Sequence, residues 1–328
     1  MDSEVSRLAR ESKYPHAMNK LKKWVVCIKS SVEDVAVVQM AAKLSEIFPP
    51  EKLILAHVVD EEGIPPYLMR EIPDLHAADM HETREKLLSV IASHFKHLGQ
   101  VEQVLLHGDV LTELLRYTYD IKADLVFVGD DASDSGLITR KMVRKSSSSI
   151  MVVPHTSNLQ INHVGIFTDF SEHSKIAFRI GSSLLREMQV PRVSAVHLFN
   201  DATRFVVDTP ESPYDAMMLM KKRMILDDRL EQLARHKLKQ EIDQVQLPVE
   251  PHVIASGAKN RRSEQLVNWV NDNEVDMVIM GSKGVKPGVA TLLGSVTENV
   301  YVSVSGKILL IVKQKNENKS FLKSIFAS

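Results

Sequence analysis

The chain has 328 residues, about twice a typical domain, with a formal net charge of −1 and 25% charged residues. That balance gives no general electrostatic reason to expect a nucleic acid or a membrane surface as partner, so any anion site must be local. The single cysteine, Cys27, excludes an intrachain disulfide, and no stretch approaches the roughly 18 apolar residues that span a bilayer; a soluble, cytoplasmic protein is expected.

Residues 1–21 read as an N-terminal extension, loose or helical. The first strand is Trp24-Val-Val-Cys-Ile28 and the second Leu53-Ile-Leu-Ala-His57-Val58. Leu87, Leu88, Ile91, Phe95 and Leu98 recur at helical spacing and predict a core-facing stripe. Further strands are predicted at Ala123–Gly129 and Ser149–Val153, before the short polar stretch Pro154–Gln160.

The pattern then starts again. Strands are predicted near 163–168, 193–199, 250–255, 275–280 and 307–312, with a second helical stripe at Leu230, Leu233, Ala234, Leu238, Ile242 and Val245. The second strands of the two copies match at an offset of 140, Ala123–Gly129 matches Val275–Gly281 at 152, and the last strands match at 158. The chain is therefore one unit written twice, in domains 22–154 and 161–313 with a tail at 314–328. The expected fold class is α/β: two tandem Rossmann-like domains, each a five-stranded parallel sheet with helices on both faces.

The sharpest chemical signal is Gly281-Ser-Lys-Gly284, nine residues, then Gly294-Ser295. It follows an apolar strand and runs into the helix beginning near Val296, where backbone N–H groups and a hydroxyl can take negative charge. Lys283 and Lys286 could neutralise phosphates. The spacing is neither a Walker A loop nor a G-x-G-x-x-G fingerprint, which disfavours a P-loop NTPase or a dehydrogenase. Asp169, just past the strand at 163–168, has two readings: an N-cap for the helix starting near Ser171, or a carboxylate facing a nucleoside. If that strand lies beside the one at 275–280, Asp169 and the glycines face one crevice.

These residues resemble the universal stress protein family over both halves. The specific part is Gly281-Ser-Lys-Gly284 with Gly294-Ser-Val-Thr-Glu-Asn-Val300, similar to the family's ATP-binding G-x2-G-x9-G-S/T signature. The resemblance implies that Asp169 and backbone groups of Leu198, after the second strand, meet adenine. Gly281, Gly284, Gly294, Ser295 and Val296 would surround ribose and phosphates of ATP or ADP, with Mg²⁺ or Mn²⁺ held by the phosphates. It also implies that the copies pair through 149–153 and 307–312, an internal pseudo-dimer that leaves a homodimer open.

The first copy departs from the pattern. Lys29 stands where the second copy has Asp169, and Gly129 through Leu137 is six residues shorter than Gly281 through Ser295. Asp130, Asp131 and Asp134 would repel phosphates, so only the second copy is expected to bind nucleotide. No nucleophile with an orienting base is visible. His57 and His197 read as packing residues, while His252 lies near a strand start and Arg261 and Arg262 form a basic pair at a strand end. His94 with His97, and His76 with His81, lack the acidic or cysteine partners of a metal site. The expected function is a nucleotide-dependent stress-response binding or signalling module that is not an enzyme. A slow ATPase, a nucleotidyl transferase and a nucleotide-free scaffold remain as alternatives.

Overall fold

The protein is described from a computed structural model, over residues 21–29, 34–60, 71–72, 77–130, 136–155, 159–256, 262–284, 293–304 and 306–314. The first copy runs β1 (Lys23–Cys27), α1 (Asp34–Ile47), β2 (Lys52–Asp60), α2 (Ala77–His94), β3 (Val101–Gly108), α3 (Val110–Asp120), β4 (Leu125–Asp130), α4 (Gly136–Lys145) and β5 (Ser149–Pro154). The second runs β6 (His163–Thr168), α5 (Glu172–Glu187), β7 (Arg192–Asn200), α6 (Pro213–Ile242), β8 (Glu250–Ser256), α7 (Arg262–Asp272), β9 (Met277–Gly281), α8 (Ser295–Ser303) and β10 (Ile308–Val312).

Ten strands form one sheet in the order β3-β2-β1-β4-β5-β10-β9-β6-β7-β8. Within each copy the strands are parallel. Central strands such as β5, β6, β9 and β10 are buried throughout, as expected of strands covered on both faces, and their β-branched and apolar residues suit that place. The copies join where β5 and β10 run antiparallel, with Ile150 opposite Ile311 and Val152 opposite Leu309. The internal pair implied by the resemblance is therefore a continuous sheet.

Identical devices hold both copies. Asp124 accepts the backbone N–H groups of Lys22 and Lys23 at 2.9 and 3.0 Å, and Asp276 accepts those of Asn162 and His163 at 2.7 and 3.0 Å. Each aspartate thus fixes the start of its copy's first strand against the fourth. His57 Nδ1 lies 2.8 Å from the carbonyl oxygen of Ile28, and His197 Nδ1 lies 2.9 Å from that of Thr168. These histidines are spent on tying the second strand to the end of the first.

Two residues of the predicted stripes are not in the core. Leu88 is 42% and Leu233 51% exposed. A helix on a sheet buries a narrow face, taken in α2 by Leu87 and in α6 by Ala234, Leu238 and Glu241; one position round the helix leads to solvent. The N-terminal half of α6 has no buried residue. It is tied instead to the segment before it, through Arg223 to the carbonyl oxygen of Val206 and through Asp227 to Ala202 N–H. No helix among the described residues is long and apolar enough to cross a membrane.

Lys313, just past β10, is buried at the junction of the copies, and its ammonium donates to the carbonyl oxygens of Val143 and Ser146, both at 2.7 Å. It thereby caps the C-terminal end of α4 from the other copy. Lys313→Met should lower stability by about 1.5–3 kcal/mol, because two buried carbonyls lose a charged donor; a urea midpoint equal to wild type would contradict this.

Candidate functional site

The crevice forms where the strand order reverses. β6 pairs with β7 on one side and β9 on the other, so Asp169, past the end of β6, and Gly281, at the end of β9, open into the same space. The proximity is tight: a Cβ on Gly284 would lie 2.6 Å from Asp169 Oδ2. Sequence positions more than a hundred residues apart are thus brought into contact.

Asp169 is held by its own turn. Its Oδ1 accepts Ser171 N–H at 3.1 Å, while the N-cap of α5 is Ser171, whose hydroxyl oxygen accepts Ser174 N–H at 3.2 Å. Asp169 therefore does not cap the helix; two residues earlier, it closes an Asx-type turn. Between them Phe170 has φ +63°, a left-handed conformation uncommon for a bulky residue, and its ring stacks on His197 with centroids 4.1 Å apart. Burial lowers the pKa of His197, against its bond to the Thr168 carbonyl, so the imidazole is kept neutral.

The glycines divide into different roles. Gly281 is buried, and a Cβ there would meet His173 C at 2.8 Å and Ser174 N at 2.9 Å, so its bare Cα admits the first turn of α5. Making room for that backbone is a packing role, separate from the ligand contact that the resemblance implies. Gly294 is the N-cap of α8 and has no side-chain cap; its N–H donates to the carbonyl oxygen of Ser282 at 2.8 Å. The helix starts at Ser295, which is exposed, and the half-buried Val296 packs at its side. Uncapped N–H groups and the positive end of the dipole therefore meet solvent at Ser295, while Gly294 packs against the backbone of Ser282 and Lys283.

Leu198 lies inside β7 rather than after it, because β7 is extended to Asn200 by pairing with β8 up to Ser256. β6 stops at Thr168, opposite His197, so Leu198 stands beyond it along the crevice edge. Lys283 is half-buried, and its carbonyl oxygen lies 3.4 Å from Ser171 Oγ. Lys286 and Arg261 lie outside the described residues. Arg262 is drawn to Asn200 Oδ1.

Two participants escaped the motif. Phe170 owes its role to a backbone conformation that its residue type does not advertise. Glu241, buried at the end of α6, accepts from Thr168 Oγ1 at 2.8 Å. Its signal was available: an acidic residue seven positions after Ala234, on the buried face of a helix.

The corresponding region of the first copy keeps the frame. Thr139 Oγ1 donates to the carbonyl oxygen of Gly129 at 2.8 Å as Thr297 Oγ1 does to that of Gly281 at 2.9 Å. The linked residues are 10 apart in the first copy and 16 in the second. Asp130 faces Tyr301 of the other copy at 3.3 Å, while Asp131 and Asp134 lie outside the described residues. No group of three or more His, Cys, Asp or Glu suited to a metal occurs among the described residues.

The model of the universal stress protein family matches residues 20–154 and again 160–311. The chain belongs to the universal stress protein family. Universal stress protein MJ0577 of Methanocaldococcus jannaschii is 38% identical over 94 residues, 28% of this chain and 55% of that protein. The chain thus spans about half the length of this curated relative. Among solved structures, a universal stress protein from Archaeoglobus fulgidus superposes with a TM-score of 0.58 at 13% identity, covering 90% of this chain and 99% of the other. A functionally unknown Pseudomonas aeruginosa protein, PA1789, gives 0.58 at 10% identity over 96% and 100%. At such identities these two establish a shared fold alone.

The different roles of the glycines predict different outcomes. Gly281→Ala should destabilise the fold by about 1–3 kcal/mol, since its Cβ meets backbone that cannot swing aside. Gly284→Ala should leave the melting temperature nearly unchanged and displace the Asp169 side chain; equal melting shifts in the two variants would refute the assignment.

A pH effect follows from His197. The unfolded chain takes up its proton near pH 6.5 and the folded chain only at lower pH, so stability should decline as pH falls below about 6.5. His197→Gln, which keeps a donor for Thr168, should lose less stability between pH 7.5 and 5 in urea titrations; an identical loss would count against the neutral, buried imidazole.

Proposed function

We propose that the second domain binds ATP or ADP, and that the protein is a cytoplasmic stress-response module whose shape or partners change with nucleotide occupancy. The observation that carries this reading is the closeness of Asp169 to Gly284, in the crevice on which the uncapped start of α8 opens. A carboxylate accepts N–H and O–H donors of a nucleoside, and N–H groups at a helix start accept phosphate oxygens. Ser295, exposed at the first helical position, adds a hydroxyl beside the uncapped backbone N–H groups of the first turn.

The bound group would bring its own metal. Mg²⁺ or Mn²⁺ on the phosphates supplies charge neutralisation, which suits a crevice whose described residues offer no acidic cage. Orientation falls to Asp169 and the backbone near Leu198, and phosphate binding to Gly294, Ser295 and Val296. Gly281 serves by packing α5 behind the loop. Any hydrolysis is slow, because burial lowers the pKa of His197 and so weakens it as a base, and its Nδ1 and ring face are engaged by Thr168 and Phe170. In the first domain the shortened connection and Lys29 in place of the carboxylate leave the fold without a nucleotide site.

Protein purified without added nucleotide and then denatured should release ATP or ADP, and folded Gly294→Val should release little. Unchanged nucleotide content in that variant would overturn the site. Incubation with Mg²⁺ and ATP should yield fewer than about one turnover per minute; faster turnover would make the protein an enzyme.

A further inference from the structure

We infer that Glu241 is a positioning residue for the candidate nucleotide site: from the last turn of α6 it sets, through Thr168, the turn that aims Asp169 across the crevice. The inference rests on the nucleotide reading above for its functional meaning, and on hydrogen bonds for its geometry. Thr168 Oγ1 donates to Glu241 Oε2 at 2.8 Å and accepts Phe170 N–H at 3.1 Å. The hydroxyl also lies 3.2 Å from Ser174 Oγ, but the shorter approach to the charged carboxylate takes its hydrogen and leaves a lone pair for the residue that most needs holding.

Phe170 needs holding because a left-handed conformation in such a residue costs on the order of 1–3 kcal/mol and persists only where its surroundings enforce it. Three contacts enforce it: the Thr168 hydroxyl on its N–H, His197 under its ring, and Asp169 Oδ1 on the next N–H. The reversal at Phe170 leaves Asp169 directed at Gly284. Released from Thr168, the residue can relax to negative φ, and Asp169 moves with it.

Glu241 is itself an unusual residue for its place. It is 8% exposed, and its Oε1 has no hydrogen-bond partner among the described residues. Burial raises its carboxyl above the usual range; the Thr168 hydroxyl and Lys175 oppose that shift, while Asp169 and Glu172 add to it. An apolar side chain would fill the position at lower cost, so packing alone does not account for an acid there.

The test measures ATP affinity by calorimetry in the full-length protein. Glu241→Leu and Thr168→Val should each weaken binding by about 5–30-fold, the loss of a charge-assisted bond, and Glu241→Gln, which retains an acceptor, should recover most of it. In an Asp169→Ala background the penalty of Glu241→Leu should vanish, since the residue acts through Asp169. An equal penalty in both backgrounds, or Gln no better than Leu, overturns the inference. Should Glu241→Leu fail to fold, Thr168→Ser against Thr168→Val makes the same comparison. Amide exchange supplies a readout that needs no nucleotide: Phe170 and Ser171 should exchange faster in Glu241→Leu or Thr168→Val. Unchanged exchange overturns the inference even if the wild-type protein binds no ATP, a result that would separately defeat the nucleotide reading.

Discussion

Because β6 lies against β9 in register, Phe167 opposite Met280, the two strands leave the sheet at the same level and the reversals that follow must share one crevice. The arrangement at the site depends on that pairing. Asp276 enforces it from the far end, accepting the N–H groups that open β6 and so locking the two strands in a single phase. A slip of one residue would turn inward-facing side chains outward and separate Asp169 from the glycines, so the cost of misregister protects the site geometry.

The duplicated chain separates what the fold requires from what the site requires. Asp124 and Asp276, His57 and His197, and Thr139 and Thr297 make the same bonds in both copies. They fix strand phase, the end of the first strand and the docking of the last helix, and each copy needs them whatever its loops carry. Asp169 and the 16-residue connection occur in the second copy alone. No bond of the shared frame depends on them, so the first copy could lose both and keep its sheet.

The same distinction explains what could be read from the sequence. Strand positions, the repeat and the crevice were legible because apolar runs and glycine spacing are local patterns with one strong physical cause each. The individual jobs of the glycines were not, since Gly281 and Gly284 look alike until the backbone of His173 and the carboxylate of Asp169 are placed beside them. Ser171 rather than Asp169 capping α5 turns on a backbone angle at Phe170 that the residue type disfavours. Helical spacing places Leu88 and Leu233 toward the core although both are exposed, because it gives a face but not its width. Glu241 shows the reverse case, a polar residue on an apolar face whose partner lies 73 positions away.

The first copy still acts on the site through α8. The N-terminus of this helix faces the crevice, while further along it Glu298 lies 3.7 Å from Arg140 and 4.0 Å from Arg144, and Tyr301 donates to Asp130. The arginine contacts are partly exposed and weak alone. Tyr301 is different, being buried, and both burial and Asp130 push its phenol up, keeping it a neutral donor. With β10 sealed against β5 just beyond, α8 is held at its C-terminal end by the first copy and is open at its N-terminal end to the crevice of the second. A helix free to shift along its axis would carry Gly294 and its N–H groups with it. By fixing that axis, the shortened copy helps hold the shape of the crevice from outside it.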